Sequence, residues 1–191
     1  MKNIPAQNQA FTRIDLAVVV ATIGVLAMVF AHAQHEILAK AKYNRIRCVS
    51  NLKMVGLAFR IWSNDNKDRF PMQVEAKSGG SQEATATGEI FRHFVVMSNE
   101  LNSTKILVCP SDNRTAGANF KSLANSNISY FVCLDADETK PQRLLSGDRN
   151  LTNGLPMTKS VLEVSTAQPA GWTAEIHVEA GNLGLSDGSV Q

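Results

Sequence analysis

Residues 16 to 31, LAVVVATIGVLAMVFA, carry no charge and no strongly polar side chain beyond Thr22. At about 1.5 Å per helical residue the run spans roughly 24 Å. With Ala33 and snorkelling flanks it reaches a length that crosses a bilayer. Beyond it the apolar pattern narrows to a stripe. Cys48, Leu52, Val55, Phe59 and Trp62 recur at steps of 4, 3, 4 and 3, which is one face of a helix. Arg47, Asn51, Lys53 and Arg60 fall on the opposite face. No proline lies between Pro5 and Pro71, so the pattern predicts one helix over about 11–63, roughly 75 Å long. Two helices separated near Gln34 are the alternative.

Asn64, Asp65 and Asn66 end the helix with turn formers. Residues 73–89 are small and polar and read as a mobile loop, and residues 90–101 as a short helix. The remainder alternates short apolar pieces with turns, at 106–108, 128–134, 144–145, 174–178 and 183–185. That spacing predicts short antiparallel strands. The fold class expected is α+β, a long N-terminal helix packed on a small antiparallel sheet.

Composition narrows the class. The 191 residues suffice for one domain with an appendage, and 44% hydrophobic with 19% charged residues excludes a disordered or collagen-like chain. Nineteen basic against 17 acidic residues leave +2, too little to imply a nucleic-acid partner. Cys48, Cys109 and Cys133 are too few for a disulfide scaffold, and their spacings match no zinc motif. Behind a membrane anchor they suit an oxidising compartment, where any one pairing leaves a thiol over.

The apolar run has two export readings. Ala31-His32-Ala33 before Gln34 is a small-x-small cleavage site, which would make this a secreted protein cut after Ala33. Against that, only Lys2 and Arg13 precede the run as positive charges, and Asp15 abuts it, where a signal peptide has no use for a carboxylate.

The stretch Ala10-Phe11-Thr12-Arg13-Ile14-Asp15-Leu16-Ala17 resembles the type IV prepilin signature. Ala10 and Asp15 stand where the family usually has Gly and Glu, and Arg13 replaces an apolar residue. The resemblance implies cleavage between Ala10 and Phe11 by a membrane-embedded prepilin peptidase, with N-methylation of Phe11. It implies three parts: a leader over 1–10, a transmembrane and assembly half-helix over 11–34, and a periplasmic head over 35–191. Asp15 would pair with the N-terminal ammonium of a neighbouring subunit, because a charge in an apolar helix needs a partner. From the residues alone it reads equally as a helix N-terminal cap. Lys40, Lys42, Arg45 and Arg47 follow the run, so charge counting favours a cytoplasmic C-terminal side. The prepilin pattern implies the reverse, and a periplasmic head is expected.

Further matches narrow the resemblance. Arg47-Cys48-Val49-Ser50-Asn51-Leu52, Cys109-Pro110-Ser111-Asp112, Ser129-Tyr130-Phe131 and His177 followed by nine residues and then Asp187-Gly188 are similar to the pilin-like H-x9-DG group of planctomycete and verrucomicrobial type. That group is itself similar to the pseudopilins of type II secretion systems. It implies a non-enzymatic inner-membrane subunit whose partners are other pilin or pseudopilin subunits, the peptidase and the membrane. It also implies a Cys48–Cys109 disulfide, with Cys109–Cys133 the competing pair. A monomeric anchored binding domain is the alternative function.

Ala180-Gly181-Asn182 reads as a turn between two strands, Ile176-His177-Val178 and Leu183-Gly184-Leu185, with Asp187-Gly188 at the next turn. His177 and Asp187 are expected to pin this terminal hairpin structurally; a metal site or an enzymatic role is the competing reading. Asp135, Asp137 and Glu138 form an acidic loop that could take calcium or remain a solvated turn. Ser186 lacks a nucleophile elbow, and Gly147-Asp148-Arg149-Asn150 lacks a phosphate-loop pattern. No catalytic residue, no metal and, calcium aside, no cofactor is expected.

Overall fold

A computed structural model describes residues 12–157, 160–165 and 167–191. One helix, α1, runs over Arg13–Asp65 without a break. Thr12 caps it: the Thr12 hydroxyl accepts the Asp15 N–H at 3.2 Å, and Asp15 Oδ2 accepts the Thr12 N–H at 2.9 Å. This reciprocal pair satisfies donors that the first turn leaves open. At the other end Asn66 Nδ2 donates to the Trp62 carbonyl at 2.8 Å, and Lys67 and Asp68 take positive φ. The chain divides into two compact units after Lys40.

In the unit Ala41–Gln191 the predicted stripe lies in the core. Cys48, Leu52, Val55 and Phe59 are at most 1% exposed and Trp62 is 6% exposed. Phe59 meets Phe70 and Phe94 edge-on, at ring separations of 5.8 and 6.1 Å. The buried face is wider than the stripe. Asn51, assigned by the sequence to the polar face, is buried and donates from Nδ2 to the Val108 carbonyl at 3.0 Å.

Three antiparallel strands, β1 (Tyr130–Val132), β2 (Leu144–Asp148) and β5 (Leu183–Leu185), form a sheet in the order β1-β2-β5. Tyr130 pairs with Asp148, and Ser146 with Gly184. Leu52 of α1 packs against Gly184, close enough that an added Cβ would lie in van der Waals contact with it. A separate pair, β3 (Leu151–Thr152) and β4 (Gly171–Trp172), lies outside this sheet. The expected α+β class, a long N-terminal helix with a small antiparallel sheet, is the class found.

Several local expectations are corrected. Residues 106–108 belong mainly to a 3-10 turn over Thr104–Leu107, and no strand forms at 174–178. The segment 73–89 is folded: a 3-10 turn (Ala76–Ser78) and α2 (Ala84–Thr87) bury Val74, Ser81 and Ala84. Its polar sequence hides this because its order comes from the backbone, with Ser81 N–H on the Pro71 carbonyl at 2.8 Å and Gln82 N–H on the Val74 carbonyl at 3.0 Å. The helix expected over 90–101 is two, α3 (Phe91–Val95) and α4 (Ser98–Leu101), bent so that Phe94, Met97 and Leu101 all reach the core.

Candidate functional site

Residues 12–40 of α1, with the cap, are exposed throughout. Leu16, Ile23, Leu26, Val29 and Phe30 are each more than half exposed. The helix is long and apolar enough to cross a membrane. Asp15 is engaged as a cap, with both the N–H and the hydroxyl of Thr12 (2.7 Å) on Oδ2; among the described residues no hydrogen bond uses Oδ1. The predicted cleavage pair, Ala10 and Phe11, lies outside the described residues.

At the chain end the hairpin is not the predicted one. β5 turns back through Asp187 and Gly188, whose φ is 83°, onto the last residues: Leu185 N–H donates to the Ser189 carbonyl, and Leu183 and Gln191 exchange both backbone bonds at 2.9 Å. Asp187 Oδ1 accepts the Ser189 N–H at 2.8 Å, and Ser189 holds the carboxyl below its ordinary range. His177 is not part of this hairpin and does not meet Asp187. Residues 177, 178 and 179 all take positive φ, between 52° and 58°, which bars them from a strand.

That left-handed turn carries His177 into the core instead. Cys48 from α1 and Cys109 from the loop after Leu107 are joined as a disulfide, their Cα atoms 4.9 Å apart. His177 Nε2 lies 3.3 Å from Cys109 Sγ, and Asp148 Oδ1, at the end of β2, lies 3.2 Å from Cys48 Sγ. These four groups sit within 4.8 Å of one another. Asn182 grips Asp148 Oδ2 through its backbone N–H at 2.8 Å and its side-chain amide at 2.7 Å. Asn150 Nδ2 meets three carbonyls, those of Thr173, Ile176 and Ala180, and so fastens the loop that presents His177. Cys133 keeps a free thiol, pushed up chiefly by burial.

Burial governs the charges here. It raises the Asp148 carboxyl to about 6 against the two Asn182 hydrogen bonds. It lowers His177, with Arg45 adding to the effect, so the 3.6 Å contact between His177 and Asp148 joins a neutral imidazole to a carboxyl and is too long for a hydrogen bond. Next to the cluster Arg149 forms a fork on Asp112, Nε to Oδ2 at 2.8 Å and Nη2 to Oδ1 at 2.9 Å, and reaches Glu175 as well. The acidic loop is occupied by its own cations: Asp137 pairs with Lys140 at 2.7 Å and Glu138 with Arg60 at 3.2 Å, while Asp135 lends its carbonyl to Arg143.

No protein-family model, curated protein or solved structure matches the chain. Sequence reasoning missed Asp148, Asn150 and Asn182. Two of them lie in the fragment Gly147-Asp148-Arg149-Asn150, which has no phosphate-loop pattern, and no local pattern marks Asp148 as a partner of Cys48, 100 residues away.

Proposed function

We propose that this protein is a pilin-like structural subunit anchored in the bacterial inner membrane, with a periplasmic head and no enzymatic activity. In this reading a prepilin peptidase removes residues 1–10 and methylates Phe11. Residues 11–34 then lie in the membrane and pack against the same segment of neighbouring pilin or pseudopilin subunits in a short filament or pseudopilus. Asp15 turns its second carboxylate oxygen to a neighbour's N-terminal ammonium.

One observation carries the reading. A single helix, Arg13–Asp65, supplies both an uncovered apolar segment and the core stripe of an α+β head. Contiguous apolar surface of that size belongs in lipid or against other helices. The Thr12–Asp15 cap supports a helix whose capping residue directly follows the proposed cleavage pair. N-terminal sequencing of the mature protein from membranes tests the proposal. A start at Phe11, with the added methyl group seen by mass spectrometry, is expected. A start at Gln34 establishes secretion instead, and an intact leader leaves an ordinary membrane anchor.

A further inference from the structure

We propose that the reduced head binds one Zn²⁺ ion through Cys48 Sγ, Cys109 Sγ, His177 Nε2 and the Asp148 carboxylate, in the place where the disulfide otherwise closes. The inference does not depend on the filament reading.

The donor set is the first ground. Two thiolates, an imidazole and a carboxylate suit zinc, which accepts S, N and O ligands in a tetrahedron; calcium and magnesium want oxygen alone. Geometry is the second. Bonds of about 2.0–2.3 Å to zinc give a tetrahedron with edges of about 3.2–3.8 Å. Three separations already lie in or near that range: 3.2 Å from Cys48 Sγ to Asp148 Oδ1, 3.3 Å from Cys109 Sγ to His177 Nε2, and 3.6 Å from His177 Nε2 to the other carboxylate oxygen, Oδ2. All four donors lie within 4.8 Å of one another, so zinc entry needs the two sulfurs to part to roughly 3.8 Å and the remaining donors to draw in by no more than about 1 Å.

Among the described residues, the disulfide state leaves one group unserved. Asp148 is fully buried, and Oδ1 faces Cys48 Sγ, which carries no proton once oxidised. A buried carboxylate oxygen without a donor is costly, whereas a metal ion serves it directly. The surroundings are built as an outer shell: Asn182 orients the carboxylate, Asn150 fastens the loop behind His177, and the three positive-φ residues at 177–179 hold the imidazole inward. Two thiolates and a carboxylate leave the zinc site with one net negative charge, and the positive field of Arg45 reaches both Asp148 and His177.

The two states exchange with balanced chemistry. The chain is synthesised with thiols, so zinc entry displaces two thiol protons to solvent and forms two Zn–S bonds without any electron transfer. Exchange with an oxidised disulfide partner passes two electrons from the zinc-bound thiolates to the partner, closes Cys48–Cys109 and releases Zn²⁺, while the partner takes two protons from solvent and leaves as a dithiol. The cysteines would thus report the redox state of the compartment through metal occupancy.

The test uses the full chain in detergent, reduced with a water-soluble phosphine, which takes oxygen from water as the disulfide gains two electrons and two protons. Zn²⁺ is added, excess ion is removed by gel filtration, and metal and free thiols are counted. About one zinc per chain is expected in the reduced protein, lost on reoxidation, with His177→Ala and Asp148→Asn weakening retention by roughly a hundredfold or more. Cys133→Ser and Asp137→Ala should retain the metal. Co²⁺ in place of zinc should give the intense visible bands of a tetrahedral thiolate site, which decides the matter even if a variant fails to fold. A reduced wild type without stoichiometric zinc, a pale octahedral Co²⁺ spectrum, or retention unchanged in folded His177→Ala overturns the proposal.

Discussion

Arg60 on α1 donates from Nη1 to the backbone carbonyl of Asp187 at 3.0 Å, tying the long helix to the turn that closes the chain end. The same guanidinium pairs through Nε with Glu138. A residue that the helical pattern assigns to the outward face therefore holds three elements together at their rim. Its side chain is 46% exposed, so the contribution is small, about 1 kcal/mol or less. Arg60→Ala should lower the urea midpoint only slightly but speed amide exchange selectively at Gly188, Ser189 and Gln191. Phe59→Ala, one position away, should cost about 3–5 kcal/mol through the cavity it leaves. Equal losses from both would show that the packing of α1 has been misassigned.

His93 gives the head a pH dependence. Buried beside the Ser81 hydroxyl at 2.7 Å, it is pulled down to about 4 by desolvation. The unfolded chain takes up this proton near pH 6.5 and the folded chain only near 4. Stability from this group is full above 6.5 and is lost as pH falls towards 4, by up to about 3 kcal/mol. His93→Gln should remove the effect. The stability difference between wild type and variant isolates His93, since Asp148 and His177 titrate in both, and it should shrink or reverse as pH falls from 7 to 4. A difference constant with pH would refute the assignment.

Gly80 tests the folding of the polar segment. A Cβ there would overlap the Val74 carbonyl, a backbone atom that cannot swing aside. Gly80→Ala should destabilise the head severely or prevent its folding. Gly171→Ala, where a Cβ meets open space, should change stability by less than about 1 kcal/mol. Circular dichroism with thermal melts of both variants distinguishes a structured segment from the loop its composition suggests.

Asp15→Ala separates the two roles of that carboxylate. As a cap alone its loss weakens only the first turn of the helix. With the proposed intersubunit pairing, membrane insertion should persist while crosslinked ladders of neighbouring subunits disappear. Asp15→Glu should restore them. Ladders undiminished in Asp15→Ala would confine the residue to capping.

The parts of the fold whose cause is local are legible in residue spacing. An uninterrupted apolar run, the absence of proline from 6 to 70 and a 3.6-residue stripe sufficed for α1 and for its buried face, because helix period and side-chain burial are set by neighbours three and four positions apart. Asp187-Gly188 likewise announced its turn, since only a residue tolerant of positive φ fits there. The tertiary structure alone decided where His177 points. Three left-handed residues take it out of the expected strand, and Asn150 fastens the loop from 23 to 30 positions away. It alone brought Asp148 to Cys48 and folded the polar segment 73–89, through backbone hydrogen bonds and close glycine contacts that leave no periodic trace. The boundary follows range: interactions within one turn of helix are written in residue spacing, whereas partners 68 and 100 residues apart meet only when the whole head has closed.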